Sequence, residues 1–240
     1  MKLSAPIYKL KHLAKSRARA NNVPLHQALD EVAREEGYTS WSLLAAKYAA
    51  RDNVALLESA CGPGALILVG ARPGHGKTNL CLELVARALA AGSSSALFSF
   101  ELRAIEVAER FSGFGLELAQ VGARFCFDDS DAICASRIIE RLADATPGTL
   151  VVIDYLQLLD QRRTNPSLQA QVEALGDFAR EKRLTVVLIS QIHKRFEDAS
   201  NALPTREDVR LPNPLDLDLF DELWFLHHGQ LAREAALSSR

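Results

Sequence analysis

An α/β fold, with a mostly parallel sheet covered by helices on both faces, is what this sequence predicts, and three observations carry it. Short apolar runs rich in Val, Ile and Leu recur between residues 65 and 228, each of strand length and bounded by turn residues. Segments of helical length separate them, the alternation that parallel strands need because each connection must cross back over the sheet. The first run feeds a glycine-rich turn, Pro73-Gly74-His75-Gly76, that opens directly into a helical segment.

Taken in order, residues 1–50 read as a small helical domain. Ser4 and Pro6 mark a first helix start and Asn21-Asn22 its stop; Pro24 and Gly37 bracket a second helix; Thr39 or Ser40 caps a third. Their apolar positions Ile7, Leu10, Leu13, Leu25, Leu29, Val32, Trp41, Leu44 and Tyr48 have helical spacing and could close a miniature core. Residues 51–64 read as a linker whose Gly62-Pro63-Gly64 turn sets the start of the first strand. The core domain, 65–228, then runs strand Ala65–Val69, helix Lys77–Ala90, strand Ala96–Phe100, helix Arg103–Phe111, strand Arg124–Phe127 and helix Ala132–Ala145. It continues with strand Leu150–Ile153, helix Leu168–Lys182, strand Thr185–Ser190 and a last strand near Leu223–Leu226, before a helical tail at 229–240.

Composition narrows the class. A chain of 240 residues that is 48% apolar can bury a substantial core, and its formal charge of −2 gives no global pull toward nucleic acid or anionic membrane. No run is long enough to span a bilayer and the N-terminus lacks a secretory h-region, so the expected location is the cytoplasm, away from membranes. Cys61, Cys81, Cys126 and Cys134 form no C-x-x-C pair and read as small core hydrophobes rather than metal ligands. His227 and His228, adjacent at a strand end, are expected to face opposite ways.

Strand, glycine loop, helix is the setting that makes Ala71-Arg72-Pro73-Gly74-His75-Gly76-Lys77-Thr78 a phosphate-binding loop of the Walker A kind. Gly74 and Gly76 let successive backbone N–H groups turn inward, and the helix opening at Lys77, with Asn79 following, adds the positive end of its dipole. Lys77 suits the β- and γ-phosphates of ATP, and Thr78 offers a hydroxyl to Mg2+. Asp154, closing the apolar run Leu150 to Ile153, fits a Walker B carboxylate on the same cation. Glu101, after another strand, could take a proton from attacking water; in the simplest winding that strand lies beside the one bearing the loop. The bland alternative is an acid favouring the dipole of the following helix. Gln191 ends a further strand, where an amide could sense the γ-phosphate.

These motifs, Gly70 to Thr78, Phe98-Ser99-Phe100-Glu101, Val152-Ile153-Asp154-Tyr155-Leu156-Gln157-Leu158-Leu159 and Leu188-Ile189-Ser190-Gln191, resemble in order the ATPase core of DnaB-type replicative helicases, of the RecA-like group. Alanine at the loop's first position is usual in that family. The resemblance implies nucleotide contacts from Ala71 through Asn79, Glu101 as catalytic base, Thr78 and Asp154 on Mg2+, and Gln191 as γ-phosphate sensor. It implies a homo-oligomeric, hexamer-like ring with single-stranded DNA in its channel, met here by Arg162, Arg163, Lys194 and Arg195. The family's C-terminal hairpin with its Lys-x-Arg finger, and its usual N-terminal domain, are expected to be absent, leaving Arg206 or Arg210 to act in trans.

Three function classes follow: a Mg-dependent, DNA-linked ATPase, helicase-like or accessory in replication, repair or a mobile element; an ATP-switched interaction protein with slow or no turnover; and a P-loop phosphotransferase. The first helix, with Lys9, Lys11, Lys15, Arg17 and Arg19 and no acid, is a candidate to face nucleic acid or an acidic protein, or is a solvated face balanced by Asp30, Glu31, Glu35 and Glu36.

Overall fold

The structure is a computed structural model and describes residues 3–5, 7–160, 165–193, 196, 203–211 and 213–234. The chain divides into two compact units, Met1–Asn53 and Val54–Arg240.

In the first unit, helices α1 (Ile7–Asn21) and α2 (Leu25–Glu35) close a small core of Leu10, Ala14, Ala28 and Val32, with Trp41 packed against it. Gly37, at φ +83°, ends α2, and the N–H of Tyr38 reaches back to the carbonyl of Ala33 at 2.9 Å. Helix α3 spans Trp41–Ala60. Its first N–H, that of Trp41, donates to the carboxylate of Asp30 at 2.8 Å, meeting one of the four donors a helix start leaves over. Residues 51–60 are thus helical, not a linker. Val54 and Leu57 are apolar at helical spacing, and both are fully buried.

The second unit is a sheet of seven strands in the order β3-β2-β4-β5-β1-β6-β7. The strands are β1 (Leu66–Ala71), β2 (Ser95–Ser99), β3 (Phe125–Asp128), β4 (Leu150–Asp154), β5 (Thr185–Gln191), β6 (Glu222–His227) and β7 (Gln230–Glu234). Every pairing is parallel except β6 with β7. Connecting helices are α4 (Lys77–Ala90), α5 (Ala104–Gly113), α6 (Ala135–Arg141) and α7 (Leu168–Lys182).

Two-residue periodicity decides which face each side chain joins. Leu66, Leu68, Val151, Ile153, Val186 and Leu188 pack with α6 and α7; Ile67, Val69, Val152, Val187 and Ile189 pack with α4 and α5. Buried on both faces, these strands read as continuous apolar runs. Each such side chain contributes about 1.5–3 kcal/mol. Gly70 of β1 has no room for a side chain: a Cβ there would stand 2.8 Å from two ring carbons of Phe225 and 3.0 Å from Ile192.

The expected helical tail is corrected over its described part: residues 230–234 are strand β7. The connection from β6 is the two-residue loop His228-Gly229, with φ +47° and +76°, the conformation that joins antiparallel strands without splaying them. A hairpin is therefore present where none was expected, although residues 229–234 contain no Lys-x-Arg pair.

Candidate nucleotide site

Four strands end together. The register pairs Ser99 with Asp154, Asp154 with Ile189, and Ala71 with Gln191, so β2, β4, β5 and β1 deliver their C-terminal residues to one edge of the sheet. In parallel α/β sheets that edge is where ligands bind. The simplest winding does not hold, however: β4 and β5 lie between β2 and β1. Glu101 stands beside the Asp154 strand, not beside the strand bearing the loop.

The loop from Ala71 to Thr78 leaves β1 and turns into α4. Gly74 at φ +80° and Gly76 at φ +88° occupy backbone space that L side chains avoid, and a Cβ on either would meet no atom within 4 Å. They are glycines for conformation, and the concavity beside them is open. Ala71 and Arg72 are buried, as is Lys77, while Pro73 and Asn79 are exposed. His75 donates its N–H to the carbonyl of Arg72 at 3.2 Å, closing the turn.

Asp154 is the site's electrostatic centre. It is fully buried, and neither carboxylate oxygen has a hydrogen bond of normal geometry. Burial pushes its pKa up to about 6; the Thr78 hydroxyl and Lys77 oppose that, Glu101 adds to it, and Arg110 opposes it again. Lys77, Thr78, Glu101 and Arg110 are thus all close enough to act on one carboxylate. An ionised, unpartnered carboxylate in a buried position is costly, and a divalent cation held by Asp154 and Thr78 would offset that cost. The donor set, a carboxylate and a hydroxyl beside an open glycine loop, fits Mg2+.

Glu101 lies exposed two residues past β2, its N–H donating to Ser99 Oγ at 3.3 Å. Helix α5 has a different acid for its start, since Glu106 accepts from the N–H of Arg103 at 2.8 Å. The hydrogen-bonding cap of α5 is thus supplied without Glu101. Gln191 accepts a bond from Arg210 Nη1 at 3.3 Å, and its carbonyl accepts the Arg210 N–H at 2.8 Å. Arg206 is a different case: Nε donates to Glu234 and Nη1 to Asp218, at 2.8 and 2.7 Å, so its guanidinium is held within its own chain. Arg162, Arg163, Lys194 and Arg195 lie outside the described residues.

Sequence reasoning missed two groups here. Arg110 on α5 donates to Asn79 Oδ1 at 2.7 Å, tying that helix to the residue after Thr78. His75 stacks on His227 at 5.0 Å and lies 5.2 Å from His228. The two strand-end histidines do not face apart, since their rings are 4.1 Å from each other. The strand ends at His227, and the left-handed backbone of His228 turns its ring back. Burial and mutual repulsion lower the pKa of His75 and of His227. Helix spacing could have flagged Arg110 as sharing a face with Val107; its meeting with Asn79 depends on tertiary packing.

The family model described as the DnaB-like helicase C terminal domain matches residues 116–236, half of the chain, including Asp154, Gln191 and the hairpin. The chain belongs to that family. Replicative DNA helicase DnaB of Mycoplasma genitalium is 27% identical over 207 residues, 71% of this chain and 44% of the relative. That of Leifsonia xyli subsp. xyli is also 27% identical, over 202 residues and the same shares. The chain thus spans less than half the length of these curated relatives. Among solved structures, an isolated ATPase domain superposes with a TM-score of 0.56 at 20% identity, covering 68% of this chain and 69% of that one. A DnaB-like replicative helicase, whose structure also describes its interactions with primase, superposes with a TM-score of 0.58 at 18% identity, covering 91% and 65%. The RecA-like expectation for the fold is borne out.

Proposed function

We propose that this DnaB-like core is a magnesium-dependent ATPase whose turnover is coupled to DNA. The observation that carries the reading is Asp154: a buried carboxylate with no hydrogen bond of normal geometry, aligned by register with the strand ends around a glycine loop. Bound Mg2+ would supply positive charge to offset that of the phosphates. Asp154 and Thr78 would hold it. Lys77 would balance phosphate charge at the mouth of α4, and the loop's N–H groups would donate to the phosphate oxygens. Glu101, exposed at the same edge, would take the proton from attacking water. Gln191 is bound to Arg210 through both side chain and backbone, so a change at the γ-phosphate would pass to the segment carrying Arg210.

By family resemblance the chain would work as a ring with nucleotide between subunits, single-stranded DNA meeting Arg162, Arg163, Lys194 and Arg195. With Arg206 held by Glu234 and Asp218, Arg210 is the better candidate to reach a neighbour's phosphates. Arg233 on the hairpin is a further one, half exposed and paired with Glu222. Steady-state ATP hydrolysis, with and without single-stranded DNA, tests the proposal. We expect Mg-dependent turnover that DNA raises; turnover no higher than that of Lys77→Ala under both conditions would overturn the ATPase reading and leave an ATP-switched binding protein or a phosphotransferase.

A further inference from the structure

We infer that α1 is a docking surface for the phosphate backbone of duplex DNA, separate from the nucleotide site. Lys9, Lys11, Lys15 and Arg19 are all exposed, and α1 contains no acidic residue. Lys11, Lys15 and Arg19 follow one another at successive turns, a row about 12 Å long at 1.5 Å per residue.

The acids on and just after α2 do not neutralise that row. Asp30 accepts from the Trp41 N–H at 2.8 Å, and Glu36 accepts from the Ser4 N–H at 2.9 Å. Glu35 holds Arg17 at 2.5 Å, and Glu31 accepts from Gln27 at 3.5 Å. Among the described residues no carboxylate stands within ion-pair distance of Lys9, Lys11, Lys15 or Arg19. Helix stability does not call for this pattern either: Lys9 lies in the first turn, where the dipole favours anions, and no acid is there to offset it.

A row of cations along one helix suits a partner whose anions are closely and regularly spaced. Duplex DNA carries about one charge per 1.7 Å of axis. A single strand carries about one charge per 3.4 Å, half that density, so the same row meets fewer phosphates on it.

The test uses the full chain without nucleotide or magnesium, so a dead ATP site leaves it intact. Fluorescence anisotropy is read on a labelled duplex and on its single strand over a series of salt concentrations. Lys11→Gln/Lys15→Gln/Arg19→Gln should lower the duplex salt slope by about 2.7, from three lost phosphate contacts at about 0.9 each. Arg34→Gln, an exposed cation on α2, should leave it unchanged. These are exposed positions, and circular dichroism checks that α1 remains folded. An unchanged duplex slope in the folded triple variant overturns the inference and leaves an acidic protein as the partner of this face. A loss confined to the single strand, or an equal loss with Arg34→Gln, overturns it as well. Arg162→Ala/Arg163→Ala, measured alongside, reports separately on the channel loops.

Discussion

Asp154 and the α1 cations share a shortage of counter-charge, and the medium around each decides what the shortage does. Asp154 is fully buried, so its charge is destabilised and its pKa rises to about 6. Lys9, Lys11, Lys15 and Arg19 stand in water, which screens each of them at little cost. A buried, unpaired charge is a local demand that one well-placed cation can meet. An exposed row acts at a distance, through summed field and counterion release.

Mutation should separate the two regimes. The largest effect is expected at the loop: Lys77→Ala should reduce ATP turnover on the order of 100-fold or more, as loss of a preorganised charge-stabilising group does. Asp154→Asn should follow, abolishing the magnesium dependence of nucleotide binding, read by titration calorimetry with and without EDTA. The same variant tests the burial argument through pH. Because the folded-state pKa of Asp154 is raised from 3.8 to about 6, the native state binds the extra proton in that window. Its contribution to stability is therefore full below about pH 4 and lost as pH rises to 6, on the order of 3 kcal/mol in all. Denaturant unfolding of nucleotide-free protein should show Asp154→Asn gaining on the parent between those values; parallel pH profiles would break the comparison.

Gly70→Ala should cost about 1–3 kcal/mol by overpacking against Phe225. Ala71→Gly should leave turnover near that of the parent. The smallest effect belongs to the exposed row, where Lys9→Gln should stabilise α1 by a few tenths of a kcal/mol, since it removes a cation from the positive end of the dipole. A loss of about 1 kcal/mol or more at Lys9 would mean that this charge has a partner within the fold.

The boundaries of α4 and α7 agree with the sequence reading because both ends of each carry local signals. Gly76 has left-handed geometry before Lys77, Ser167 Oγ accepts from the Ala170 N–H, and Arg183 closes α7 in the left-handed region. What the sequence concealed is non-local. Strand order depends on which crossovers pack, and nothing near Glu101 reports that two strands separate it from the loop. Residues Leu231 to Glu234 include good helix formers, but pairing with β6 outweighs that propensity, and the short signal for it was the His228-Gly229 turn. Sequence alone put Lys77, Thr78, Glu101, Asp154 and Gln191 at strand or loop ends, and the structure brings those ends to one edge of the sheet. The site's electrostatic centre was not legible there, because the burial of Asp154 and the approach of Arg110 arise only when the strands and α5 assemble.

Gly70 and Ala71 adjoin in β1, yet their smallness has different causes. Gly70 is fixed by the Phe225 ring across the sheet, whereas Ala71 occupies the motif position that its strict form assigns to glycine. Over generations of sequence drift, position 71 is open to exchange with glycine, while position 70 is closed until its neighbours change too. The small residue that persists in descendants will then be the one outside the motif.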